Sequence, residues 1–363
     1  LYSDASYYTQ EHEIDNPHRS EITKNAINIV GNYHVAIDQR TCYYNFLDPV
    51  FCGSSTVKAK LSFLKVNESD YRPLYYPDNI NLKDLDGNPM YSCENFQFGS
   101  GSCRHFTVPM FQRFGYFRTE RQAYDHEYQW TADGRIYLIN RWNIWDKSLN
   151  DDGSVLPEHH RKTGNIIYHT NVDFPQDDNI KQATIKMVED WDNSFRNTVA
   201  KVREKGFDVK YDKDEIDPIY IYKENSCNLQ NIVTYIQKHN FRGELKPFGL
   251  ENTTKGNLKR TCAVLEWLTK SSDNPFTWQK QGDLRHSFIH WVDTPELSGP
   301  LGYGPSAADP VTGELISANA NIYGASIDSL SAYAADIVGV VYCTILQNHL
   351  FLGCTFPHSI HYL

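Results

Sequence analysis

The sequence predicts an α+β protein, with a β-rich N-terminal region followed by a mixed sheet with packed helices. Three observations carry that reading. Apolar residues alternate with a period of two through roughly the first 110 residues, between clusters of turn formers. The period changes to 3.6 between Ile180 and Val199, then returns to two in Ser287–Val292 and Glu314–Tyr323. Hydrophobic residues are 40% of 363, enough for a sizeable core and for two or three domains.

In chain order, Ile27-Asn-Ile-Val-Gly, Tyr33-His-Val-Ala-Ile and the segment from Val57 to Val66 read as short strands. Val57, Ala59, Leu61 and Phe63 share one face and Lys58, Lys60 and Ser62 the other, as in a strand with one face buried. A hairpin is expected over Tyr128–Ile139, with Ala132-Asp-Gly-Arg as its turn. Lys147–Gly164 is charged and turn-rich, and the domain boundary is placed there. It divides an N-terminal region, 1–160, from a second domain, 161–338, and a tail, 339–363. His159-His160 lies in this stretch, where adjacent histidines are ordinarily solvated rather than metal-bound.

The second domain opens on a strand at Ile166–Asn171. Asp177-Asp178 then stands where a helix N-terminus attracts carboxylates. Ile180, Thr184, Met187, Val188, Trp191, Phe195 and Val199 make one apolar stripe, leaving Glu189, Asp190, Asp192 and Arg196 for water. Further strands are expected at Phe207–Tyr211 and Ile219–Tyr222, and a surface loop over Tyr235–Asn252. Ser287–Val292 is apolar on both faces, the mark of a central strand. Asp309-Pro-Val-Thr-Gly turns into Glu314–Tyr323, whose small and polar faces suggest an accessible sheet edge. Helical spacing follows over Ser326–Val341.

Charge and motifs exclude several function classes. With 35 Lys+Arg against 45 Asp+Glu the net charge is −10, and no basic run offers a footprint for nucleic acid. The longest apolar stretch, around Ile337–Leu346, is about half a membrane span. Cys42 with Cys52, and Cys93 with Cys103, each flank a turn-rich segment. These four are the disulfide candidates, in keeping with a secreted or cell-envelope protein. No P-loop, G-x-G-x-x-G or G-x-S-x-G is present. His12-Glu13 and His126-Glu127 both lack the second histidine of H-E-x-x-H. A zinc site could otherwise assemble only from distant residues such as His169, His290 and His361, so no metal ligand is assigned.

Several segments resemble a known family. Gly115-Tyr-Phe-Arg-Thr-Glu-Arg, Asn140-Arg-Trp-Asn-Ile-Trp, Ile166-Ile-Tyr-His and Trp191-Asp-Asn-Ser-Phe-Arg occur in order. Gly282-Asp-Leu-Arg-His-Ser-Phe-Ile-His-Trp-Val and Asp309-Pro-Val-Thr-Gly-Glu-Leu follow them. Over residues 110–338 the chain is similar to large secreted bacterial zinc metalloproteases of the metzincin-like kind. The last two segments resemble the strand and the D-P-x-T-G-E-[IL] hairpin that precede the zinc helix. The resemblance implies a partial metzincin-like domain, zinc as the family's cofactor, and an extended polypeptide as substrate or ligand. Ser317, Ala318, Asn319, Ala320 and Asn321 are then the expected substrate strand.

The H-E-x-x-H helix itself is missing from the sequence. The chain is therefore expected to be the N-terminal part of an exported zinc-dependent endopeptidase-like protein, without peptidase activity or zinc as given. The alternative is a non-catalytic secreted polypeptide-binding protein built on the same scaffold.

Overall fold

The structure is a computed structural model that describes residues 2–6, 14–36, 55–66, 69–74, 117–125, 129–294 and 301–350. Three sheets and five helices are formed among them. In the N-terminal sheet, β1 (Tyr2–Ser6), β2 (Glu21–Ile22), β3 (Ala26–Ala36) and β4 (Ser55–Leu64) are all antiparallel. β4 runs along one side of β3, while β2 and β1 share the other. The directly opposed pairs Ile27–Phe63 and Ile29–Leu61 define one face, and Asn28–Ser62 and Val30–Lys60 the other.

That sheet docks the opposite way round from the expected one. Ile27, Val57, Leu61 and Phe63 are exposed, whereas Asn28 is buried at 2% exposure. The polar face is turned inward because it meets a matching set of charges, described below.

β5 (Arg118–Asp125) and β6 (Gln129–Ile139) form a separate ribbon. Asp125 pairs with Gln129, so Ala132–Arg135 is not the turn. The register slips between Gln122–Arg135 and Tyr124–Trp130, which puts the Asp-Gly pair in a bulge, a position that also favours glycine.

The charged stretch after β6 is ordered. Asp146 N–H donates to Lys162 C=O (3.0 Å) and Gly164 N–H to Ile144 C=O (2.9 Å). The His159 and His160 rings each stand edge-on to Phe207 at 4.8 Å, so both histidines are packing groups.

A mixed six-stranded sheet forms the second layer. β7 (Ile166–Thr170) leads into α1 (Asp178–Phe207) and β8 (Tyr220–Lys223). The helices α2 (Leu229–His239), α3 (Arg242–Leu245) and α4 (Leu258–Thr269) come next. They are followed by β9 (Ser287–Val292), β10 (Gly302–Tyr303), β11 (Ser306–Ala308), β12 (Leu315–Tyr323) and α5 (Gly324–Leu350). The order is β8-β7-β9-β12, with β10 and β11 both outside β12. β8, β7, β9 and β12 are mutually parallel; β10 and β11 are antiparallel to β12.

α1 starts where Asp177 Oδ1 accepts from the N–H groups of Asn179 (2.9 Å) and Ile180 (3.1 Å), a side-chain cap for two otherwise orphaned donors. It ends one residue before Asp208, which is left-handed at φ 55°. Phe207–Tyr211 is therefore a helix end and a turn, not a strand. The period of two there comes from the Phe207 and Tyr211 rings meeting at a tilt, 5.8 Å apart across the turn, with Val209 in water.

Asp192 also departs from expectation. It is buried, its Oδ1 accepts from the N–H groups of Ile219 (2.7 Å) and Tyr220 (3.0 Å), and Arg196 lies 3.5 Å from its other oxygen. Trp191 is 59% exposed, with Phe195 as its one ring contact among the described residues. Tyr235–Asn252 is largely helical, and Leu245 and Leu250 are fully buried.

The core lies in three clusters. Ile166, Val199 and Ile219 pack between α1 and the β7–β8 side of the sheet, and Phe174, Val188, Ile289 and Trp291 between α1 and the β9–β12 side. The third holds Ile232, Leu245, Leu250, Val264 and Leu265 around a disulfide between Cys227 and Cys262. α5 enters at Gly324, whose Cβ would fall 2.0 Å from the Trp291 ring, so only glycine fits. Leu330, Tyr333, Val338 and Val341 on that helix are exposed. Among the described residues no helix is long and apolar enough to cross a membrane.

Candidate functional site

The central sheet has two faces with different chemistry. Tyr168, Ile289, Trp291, Ala320 and Ile322 point toward α1. Strand alternation places His169, Phe288, His290, Asn319 and Asn321 on the other face. There the His169 and His286 rings meet edge-on at 5.5 Å. His290 Nδ1 lies 3.1 Å from Asn321 Oδ1 and 3.3 Å from Gln281 Nε2. All three histidines are held below their usual pKa, chiefly by burial. His169 is pushed down to about 4, with the neighbouring His286 and Lys223 adding to the effect.

The expected substrate strand is not an edge. Asn319 pairs with Phe288 of β9 on one side, and its N–H donates to Pro305 C=O (2.9 Å) on the other. Asn321 pairs with His290 and with Tyr303. Ser317 is buried at 6% and pairs with Ala307, and Ala318 N–H donates to the Ser287 hydroxyl at 3.1 Å. Small Ala318 and Ala320 alternating with polar Asn319 and Asn321 fit an interior strand as well as an edge, so the pattern alone does not tell the two apart.

The outer position belongs to β10 and β11, and among the described residues no strand pairs with their far side. Because Pro305 C=O accepts from Asn319, antiparallel alternation turns the N–H and C=O of Gly304 and Ser306 outward. Gly302, Tyr303, Gly304 and Ser306 are exposed.

The turn before β12 is tightly held. Asp309 Oδ1 accepts from Val311 N–H (2.8 Å), Oδ2 from the Thr312 hydroxyl (2.8 Å), and Asp309 C=O from Gly313 N–H (2.8 Å). Gly313 sits at φ 74° with room for no side chain, since a Cβ would lie 2.8 Å from Ile139 C=O.

The polar face of the N-terminal sheet lies over the segment Lys280–Arg285. Asp283, 2% exposed, accepts from Asn28 Nδ2 (2.9 Å) and from Arg285 Nη2 (2.6 Å). Glu21 reaches Lys280 (3.2 Å) and Arg285 (3.3 Å), and Glu266 reaches Lys280 (2.8 Å) and Arg19 (3.3 Å). Ser62 Oγ accepts from Leu284 N–H at 3.1 Å. Burial opposes ionisation of Asp283, but the hydrogen bonds and charge of Arg285 hold it at about 2. A cleft of about 440 Å³ remains between the layers beside this network.

Among the described residues no group of three His, Cys, Asp or Glu side chains converges as a metal site. His361 lies outside them, as do Cys42, Cys52, Cys93 and Cys103. The Cys227–Cys262 bond joins residues 35 apart, with Cα atoms at 6.0 Å. Sequence reading missed it because no short turn-rich loop lies between the two; their shared apolar surroundings were the available signal. No family model, no curated protein and no solved structure matches this chain.

Proposed function

We propose that this chain binds an extended polypeptide by strand addition along the outer side of β10 and β11. In this reading it is the N-terminal part of an exported protein resembling zinc endopeptidases. The observation that carries the proposal is the outward-facing backbone of Gly304 and Ser306 on a short, exposed outer strand. Main-chain pairing of that kind gives affinity for many sequences, which suits a substrate cleft. The strand at Ser287–Val292 and the turn at Asp309–Gly313 before β12 are the two features on which the reading as endopeptidase-like rests. The buried Cys227–Cys262 bond suits an oxidising compartment.

The non-catalytic reading has its own support. The helix that follows β12 contains His349 as its one histidine and no H-E-x-x-H, which favours binding of polypeptide without cleavage.

Fluorescence anisotropy with a labelled, extended, unstructured peptide tests the proposal. Ser306→Pro removes an N–H that faces solvent, a position where a strand tolerates proline. We expect the variant to keep its thermal midpoint and to lose peptide binding by about tenfold. Unchanged affinity in Ser306→Pro would reject β11 as the docking edge. Chelator-sensitive cleavage of casein by the zinc-loaded chain would reject the non-catalytic reading.

A further inference from the structure

We propose that the cleft between the N-terminal sheet and the central sheet is a binding site for a small anion: a carboxylate or phosphate monoester carrying an apolar body. The cleft does not adjoin β10 or β11 and plays no part in strand addition.

Charge is the first argument. In the interface network Arg19, Lys280 and Arg285 are balanced by Glu21, Glu266 and Asp283, and Lys259 at the cleft wall is paired with Asp173. Lys58 and Lys60 remain. They project from the same face of β4, two residues apart, into a cleft about 440 Å³ in volume. Among the described residues neither forms an ion pair, and Lys60 Nζ donates only to Gln281 C=O at 3.2 Å. Two cations outside any ion pair in one concavity stand out in a chain whose net charge is −10, and the carboxylates whose charge reaches Lys60, Asp283 and Glu21, are already bonded to Arg285 and Lys280. Lys60 is half-buried, which makes its field stronger than on open surface, and Lys58 stands exposed at the mouth.

Shape is the second. Lys60 lies along the cleft floor beside Gly282, whose left-handed φ of 75° favours glycine at that turn. Trp278 and Phe288, 7% and 1% exposed, supply apolar lining to the same cleft. A volume of this size, with apolar as well as cationic lining, fits a small organic anion better than a bare inorganic one. His18 completes the rim. Burial and the positive field of Lys58, Lys259 and Lys60 depress its pKa against the opposing charge of Asp173, and an anion between those lysines would offset the electrostatic part.

Calorimetric titration of the full chain at low salt, with phenyl phosphate, benzoate and inorganic phosphate, tests the site. We expect saturable binding of phenyl phosphate or benzoate that weakens at least about tenfold in Lys58→Gln and in Lys60→Met, and with added salt. Lys205→Gln, at an exposed position near the end of α1, should bind as the parent does. The His18 ring resonances should titrate at higher pH when the ligand is bound. Tighter phenyl phosphate assigns a phosphate ligand, and tighter benzoate a carboxylate.

Absence of saturable binding by all three probes, or equal binding in Lys58→Gln, overturns the site. Inorganic phosphate binding as tightly as phenyl phosphate overturns the apolar lining as part of it. Lys58 is exposed, so its variant keeps the test decisive even if Lys60→Met fails to fold.

Discussion

Replacing both Cys227 and Cys262 by alanine should remove one of the larger single contributions to stability in the helical part of the second layer. The bond closes a loop across 35 residues. In the chain-entropy treatment the unfolded ensemble then regains ~13 cal/mol/K, or ~4 kcal/mol at 25 °C. Both sulfurs are fully buried against Leu258, Val264 and Leu265, so lost packing adds to the cost. Equilibrium unfolding in urea, comparing the oxidised parent with Cys227→Ala/Cys262→Ala, should show a loss of about 3–5 kcal/mol. A second arm follows native protein in dithiothreitol. With no exposed sulfur, the thiols should become alkylatable only as fast as this region opens. A loss below about 1 kcal/mol would refute the reasoning, because α2 and α4 would then already hold the loop ends together in the unfolded ensemble.

Two further outcomes follow from the turn and the interface. Asp283 has its pKa lowered from 3.8 to about 2, so its contribution is complete above pH 4 and is lost as pH falls through 2; Glu21 acts in the same direction. Asp283→Asn should cost about 2–3 kcal/mol at neutral pH, because Arg285 keeps part of its side chain in water, and should flatten the acid limb of a pH–stability curve. A variant with an unchanged acid limb would show that Asp283 does not set it. Gly313→Ala should destabilise by at least about 1–3 kcal/mol from the left-handed backbone alone, with the contact to Ile139 C=O in addition. Wild-type stability for that variant in thermal unfolding would contradict the turn geometry.

The parts of the fold legible in the sequence are those whose polarity pattern matches what buries them. β7, β9, β12 and most of the α1 stripe pack apolar residues against apolar residues and lie where the sequence pattern places them, with Trp191 and Asp192 the exceptions on the helix. The β4 face was misjudged because its neighbour across the interface is a charged segment 220 residues or so further on, which no local pattern encodes. β10 and β11 are two and three residues long, too short for any period, and Gly302–Pro305 resembles an ordinary turn. Their presence moves the candidate docking edge away from Ser317–Asn321, although the hairpin itself was visible in Asp309–Gly313. Asp192 carries the same lesson in a helix: counted as a charge it belongs in water, but beside the start of β8 it satisfies two backbone donors.

A helix lying on a sheet keeps two soft motions, turning about its own axis and sliding along it. Apolar side chains resist both only weakly, since one hydrophobic contact can be exchanged for another of similar size. Asp192 and Arg196 remove this freedom by directional bonds: the carboxylate grips the N–H groups that open β8, and the guanidinium donates to Ile216 C=O at 2.9 Å. Two fasteners one helical turn apart fix both the phase and the axial offset of α1. The apolar stripe is thereby relieved of specifying position and has only to exclude water. Substitution among Val188, Phe195 and Val199 is then a question of volume, whereas a change at Asp192 alters where the helix sits.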